Sequence, residues 1–276
     1  MPQYVYLDTN AFRHFGEAFG TELLPDDLRE KMLISPLSAF EVLAQLARED
    51  CGDEVLRQIK AIRNWTNPIR SGLLPWPNVW LYEIWFQKNK PDDGFSKKMA
   101  NAFNRCLAAD SPASLETLKK ASAEHAKLMD GYKRQKAEQF KVMIDAARQE
   151  KIKAFDSTEF WFASLAESVG ADPKSKPIAE VVCALSAHHE FEQSKLRTAL
   201  EIPDYNPLSR KNQNDVIDVD QLLYLADETL CMLTADGGFK KKVTKSRQAA
   251  RIITAPEADL MDARKAETML RNIVSN

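Results

Sequence analysis

Short apolar runs, each ended by polar residues, occupy both ends of the chain, and helical stripes fill its middle. Tyr4-Val5-Tyr6-Leu7 stops at Asp8-Thr-Asn10 and predicts a buried strand, followed by a helix over about Ala11 to Phe19. Lys31 to Ser35 predicts a second strand. Ser35-Pro36 then supplies an N-cap and a first-turn proline for a helix whose apolar face is Leu37, Phe40, Leu43, Ala44 and Ala47.

From there to about residue 204 the pattern is helical. One helix is expected over 53–65, and Pro75-Trp76-Pro77 is a break. Val79 to Phe86 reads equally as a buried helix or a strand. Ser111-Pro112 opens a long amphipathic helix to about Phe155. Its apolar steps run Leu118, Ala121, His125, Leu128, Tyr132, then Phe140, Met143 and Ala147, with a lapse at Lys136 that predicts a kink or split. Asp156-Ser-Thr-Glu159 has capping-box spacing, and another helix is expected over about Pro177 to Ala199. Ile202 to Asn214, rich in Pro, Asn and Asp, reads as loop. A helix from Asp218 to Leu230, a strand over Cys231 to Asp236 ending in a turn, a last strand over Ala250 to Glu257 and a helix over roughly 257–273 complete the chain.

Alternating strands and helices imply a parallel α/β sheet. The expected fold is a three-layer α/β/α domain with a central, mainly parallel sheet, formed by 1–75 with 205–276, plus a mainly helical insertion over 76–204. No internal repeat is visible.

Composition narrows the function only modestly. The 276 residues carry 44% hydrophobic and 28% charged residues with a net charge of -2, so nucleic acid would meet a local basic patch rather than a basic protein. The four cysteines lack C-x-x-C spacing and read as free thiols, and the four histidines lack metal-ligand spacing. There is neither a signal-peptide pattern nor a stretch of about 18 apolar residues, so no membrane association and a cytoplasmic location are expected.

Carboxylates carry the chemistry. Parallel sheets bind ligands at the carboxyl ends of their strands. Asp8 follows the first strand, Glu41 lies in the second turn of the helix after the second, and Asp236 follows the third obvious strand. Asp218 precedes that strand, with Asp215 and Asp220 beside it. Converging carboxylates repel one another unless a cation joins them, and hard divalent ions prefer such oxygen donors. Each acid also has a plainer reading. Asp8 could cap the following helix, one of Asp215, Asp218 and Asp220 should be an N-cap, and Asp236-Gly-Gly is a turn signal.

Together these residues resemble the PIN-domain nucleases. YLDTNAF is similar to the family's first-strand Asp, ISPLSAFEVL to its Glu-bearing helix, and the stretch from Asp215 to Phe239 to its later Asp followed by a strand and a T-x-D turn. The resemblance covers the two chain ends, and the long interval between Glu41 and Asp218 departs from compact members. It implies a metal-dependent endonuclease, an endoribonuclease above all with DNA as the other substrate class, using Mg²⁺ or Mn²⁺. It also implies a possible role as the toxin of a toxin–antitoxin pair, with an antitoxin protein as partner. Asp8, Glu41, Asp218 and Asp236 would be catalytic. Asp215 would be a further metal ligand, Asp220 an alternative, and Asn10 and Thr234 would orient carboxylates or water.

Arg210 and Lys211 precede these acids, and Lys240, Lys241, Lys242, Lys245 and Arg247 follow Asp236. They are the candidate phosphate contacts; a solvated face is the plainer reading, as it is for Lys133, Arg134, Lys136 and Lys141 on the long helix. The tryptophans are expected in the core. The middle helices suit a homodimer, a protein partner or simple core packing. Two competing functions are an aspartate-nucleophile phosphatase, disfavoured because Asn10 stands where a second Asp is wanted, and a catalytically silent PIN-like module that binds RNA or protein.

Overall fold

The computed structural model describes residues 4–19, 24–47, 73–88, 101, 104, 105, 108, 112–149 and 157–275; the side chains at 112, 113, 115, 157, 210, 211 and 214–216 lie outside that description. In chain order the elements are β1 (Tyr4–Leu7), α1 (Thr9–Ala18), α2 (Asp26–Arg29), β2 (Met32–Ile34), α3 (Pro36–Gln45), α4 (Pro77–Phe86), α5 (Pro112–Arg148), α6 (Ser157–Ser168), α7 (Ile178–Ala184), α8 (Ser186–Glu201), α9 (Arg210–Gln221), β3 (Leu230–Thr234), α10 (Gly237–Lys242), β4 (Ile252–Thr254), α11 (Glu257–Leu260) and α12 (Ala263–Ser275).

The four strands form one parallel sheet in the order β2-β1-β3-β4, with Tyr4 opposite Leu230 and Val5 opposite Met32. Alternate residues of β1 face opposite layers. Val5 and Leu7 join Phe12, Phe15, Val42, Leu260 and Leu270 on one side. Tyr6 joins Phe191, Val219, Met232 and Phe239 on the other. Helices therefore cover both faces. This explains why β3 is apolar without alternation, all five of its residues being buried. Phe191 comes from α8, so a helix of the middle region shares the core beneath the sheet.

Several boundaries differ from the sequence reading. Val79 to Phe86 is helical, inside α4. α5 runs unbroken through Lys136, and Leu128 faces solvent while Met129 takes the inward position. The expected single helix to Ala199 is broken at Leu185, whose ψ of 32° leaves the helical region and starts α8 on a new axis. The expected loop to Asn214 ends early: Ser209 occupies the N-cap position and α9 begins at Arg210, so Asp215, Asp218 and Asp220 lie inside a helix and none is a cap. That helix gives way to a 3-10 turn over Leu222–Ala226 rather than continuing to Leu230. The 53–65 helix and the Asp156 cap fall outside the described residues.

Trp76, Trp85 and Trp161 are buried. Cys183 and Cys231 are free. Among the described residues, no helix is long and apolar enough to cross a membrane.

Candidate active site at the strand ends

The strand order fixes where a ligand would sit. From β1 the chain goes to β2 on one side, whereas β3 pairs on the other, so the topological switch point lies between the carboxyl ends of β1 and β3. Asp8 and Asp236 follow those two strands, and each caps the next helix. Asp8 Oδ1 accepts from the Ala11 N–H at 2.7 Å, and Asp236 Oδ1 accepts from the Gly238 N–H at 2.7 Å. A Cβ at Gly238 would meet the Asp236 carboxylate at 2.9 Å, so glycine lets this cap close. The plainer reading of Asp8 is thus also true, Asp236-Gly-Gly opens a short helix in place of the expected turn, and each carboxylate keeps unused lone pairs.

Thr234 ties the two acids together. It is wholly buried, and its hydroxyl donates to Asp8 Oδ2 at 2.6 Å while accepting from the Asp236 N–H at 2.9 Å. Asp8 is itself buried, whereas Asp236 is exposed, so the cluster opens to solvent on the β3 side. Burial pushes the Asp8 carboxyl up to about 6, against the hydrogen bonds from Thr234 and Ala11; the charges of Asp236 and Glu41 push it further the same way. Asp8 thus feels two neighbouring acids.

Glu41 reaches this region from α3, one turn beyond Ser38, whose hydroxyl donates to the Leu7 carbonyl at 2.9 Å. Glu41 Oε2 accepts from the Thr9 hydroxyl. Its Oε1 accepts from Lys133 Nζ at 2.7 Å, with only 16% of each side chain exposed. The sequence pattern points to neither Thr9 nor this role of Lys133. Lys133 and Lys136 share the inward face of α5 with Met129 and Phe140, and the hydrophobic lapse at Lys136 is the one trace of it in the sequence.

α9 separates its acids. The Gln221 side-chain amide N–H donates to Ser38 Oγ at 2.9 Å, and the Gln221 backbone carbonyl accepts from Tyr6 Oη at 2.7 Å. One face of α9 therefore addresses the end of β1, and Asp218, half-buried, lies on it one turn back. Asp215 is about one turn further, with its side chain outside the description. Asp220 faces elsewhere. It is buried, takes a hydrogen bond from the Tyr132 hydroxyl, and lies 3.0 Å from Lys136 Nζ and 3.5 Å from His188 Nε2. Burial alone would raise its pKa, but Lys136, His188 and Tyr132 together hold it well below the usual carboxylate range. Asp220 is thereby committed to joining α9, α5 and α8, and is unsuited to the alternative role at the strand ends.

Asn10 stands exposed on the first turn of α1. Arg210 and Lys211 open α9, Lys240 and Lys241 are exposed, and Lys242 lies over the Phe191 ring at 4.5 Å from its centroid. A cleft of about 890 Å³ lies against β4 and α12, lined by Ile253 and Met269 among others, and includes none of these acids.

The donor set is all carboxylate, and Asp8, raised chiefly by burial, also feels the charges of Asp236 and Glu41; an all-oxygen acidic set of this kind fits a hard divalent ion. Among the described residues, no three His, Cys, Asp or Glu side chains already converge as a metal cage, and Glu41 is drawn toward Lys133. No family model, curated protein or solved structure gives a significant match to the chain.

Proposed function

We propose that the chain is a metal-dependent endonuclease of the PIN-like kind, acting on RNA. The observation that carries this reading is Asp8: a carboxylate at the switch point of a parallel sheet, fixed by Thr234, pushed up chiefly by its burial and further by the charges of Asp236 and Glu41. Asp8, Glu41 and Asp236 would hold Mg²⁺ or Mn²⁺, with Asp218 or Asp215 contributing from α9. A bound ion supplies a water nucleophile at neutral pH and charge neutralisation at the phosphodiester. The chain's own part is positional. Ala11 and Thr234 fix both Asp8 oxygens, Thr234 couples Asp8 to the turn carrying Asp236, and the exposure of Asp236 admits a polymeric substrate. RNA, rather than DNA, is favoured by the family resemblance alone, as is any antitoxin partner.

One observation favours a second reading, a catalytically silent module that binds RNA or protein: Glu41 already satisfies Lys133 and Thr9. A fluorescent RNA cleavage assay with Mn²⁺ separates the two. Cleavage should vanish in EDTA and fall on the order of 10²–10³-fold in Asp8→Asn, in proportion to a lost charge-stabilising group. Cleavage that persists in EDTA, or in the variant, rules the mechanism out. No cleavage of RNA or DNA by the wild type decides for the silent module.

A further inference from the structure

A cleft of about 400 Å³ opens between α8 and the segment that follows α10. Arg197 contributes from α8, and Lys241, Lys242 and Lys245 from the other wall. Among the described residues, none of these four cations has a carboxylate within ion-pair distance, although the chain holds more acids than Lys and Arg. The one acid in the cleft, Glu190, is engaged elsewhere. Its two oxygens accept from the backbone N–H groups of Thr244, Lys245 and Ser246 at 2.7 to 3.0 Å, which fixes the turn carrying Lys245. The Ser194 hydroxyl adds a neutral donor to the lining, while the Thr244 hydroxyl donates to Glu190 at 3.2 Å and helps hold the turn. Cations without carboxylate partners, with a hydroxyl beside them, are the side-chain set that contacts phosphate and sugar in nucleic-acid complexes.

The position of the cleft gives it a direction. Asp236 caps the start of α10, and Lys241 and Lys242 stand at its end. That helix has six residues, so it spans about 9 Å. We infer that the α8–α10 cleft binds the phosphate backbone of a single-stranded RNA whose neighbouring nucleotides lie at the strand-end acids. The inference rests on the nuclease reading for its direction, and on the cleft alone for binding.

The test is fluorescence anisotropy of a short labelled single-stranded RNA with the full chain, in EDTA so that nothing is cleaved, across a salt series. Lys241→Ala with Lys245→Ala should weaken binding about ten-fold and make the log–log salt slope shallower by about 1.4, since each phosphate neutralised on a single strand adds about 0.7. Arg197→Ala, on the opposite wall, should weaken it as well. Lys119→Ala with Lys120→Ala, exposed on α5, should leave it unchanged. Equal losses in the α5 control, or no loss from either wall, would overturn the inference, and so would a loss from the lysines with none from Arg197. Binding that depends on the cleft in a chain that cleaves nothing with Mn²⁺ keeps this inference and ends the nuclease reading. Cleavage with RNA affinity indifferent to the cleft does the reverse.

Discussion

Asp8 and Asp220 are both withdrawn from water, at 5% and 1% exposure. Around Asp8 stand two further acids and two neutral donors, and its pKa rises to about 6. Around Asp220 stand Lys136, His188 and Tyr132, and its pKa falls. Burial raises both carboxyls; at Asp8 it prevails over the hydrogen bonds from Thr234 and Ala11, and at Asp220 the partners Lys136, His188 and Tyr132 overcome it. The Asp220 region is complete within the protein and serves as an anchor. The Asp8 region places three acids together with no cation within ion-pair distance of Asp8 among the described residues.

The largest effect expected from breaking this contrast is Asp220→Ala. Removing one member of a buried ion cluster leaves Lys136 facing a cavity, at a cost of about 3 kcal/mol. Urea unfolding at neutral pH measures it, and a loss below about 1 kcal/mol would mean that the cluster anchors nothing.

Asp8 should respond with the opposite sign. Its folded pKa lies above the ordinary 3.8, so its contribution to stability is fully present below about pH 4 and is lost as pH climbs through about 6. Asp220 contributes above its unfolded pKa and loses that contribution as pH falls. In EDTA, Asp8→Asn should therefore exceed the wild type at pH 7.5 by up to about 3 kcal/mol, since one pKa unit is about 1.4 kcal/mol. The gap should close toward pH 4. A variant less stable than wild type at pH 7.5 would show that Asp8 has a compensating charge.

A smaller effect should follow from Thr234→Val, which keeps the shape but removes the hydroxyl between Asp8 and the Asp236 backbone. It should cost about 1–2 kcal/mol and, in a cleaving protein, about ten-fold in activity. Unchanged melting and cleavage would release Thr234 from its positioning role. Least of all, Lys133→Met should raise Mn²⁺ affinity several-fold, about 1 kcal/mol, because an ion would no longer compete with the ammonium for Glu41. Calorimetry reads this directly, and an unaltered affinity would remove Glu41 from the ligand set.

The same contrast shows what the sequence could disclose. Asp8 and Asp236 are legible because their signals are local: an apolar run, its end, a cap. The three-layer arrangement follows from the same runs. The start of α9 is harder to read because Pro203, Asp204, Asn206 and Pro207 suggest a longer loop, whereas the Asn206 side chain and carbonyl bond Leu208 and Asn212 and lead into the helix. The Asp220 cluster is invisible for another reason. Its partners lie 84 and 88 residues away on α5, and a lysine turned inward toward a distant acid looks, in sequence, like a kink.

The pairing of Tyr4 with Leu230 has a consequence for biosynthesis. The central strand β1 cannot complete its place in the sheet until β3 has left the ribosome, and domains complete only as their chain emerges. Asp8 and Glu41 are made well before Asp236 and meet it only once β3 has been synthesised. If the strand-end acids do cut RNA, a nascent chain would carry no assembled site, and the translating message would be spared, until β3 has emerged.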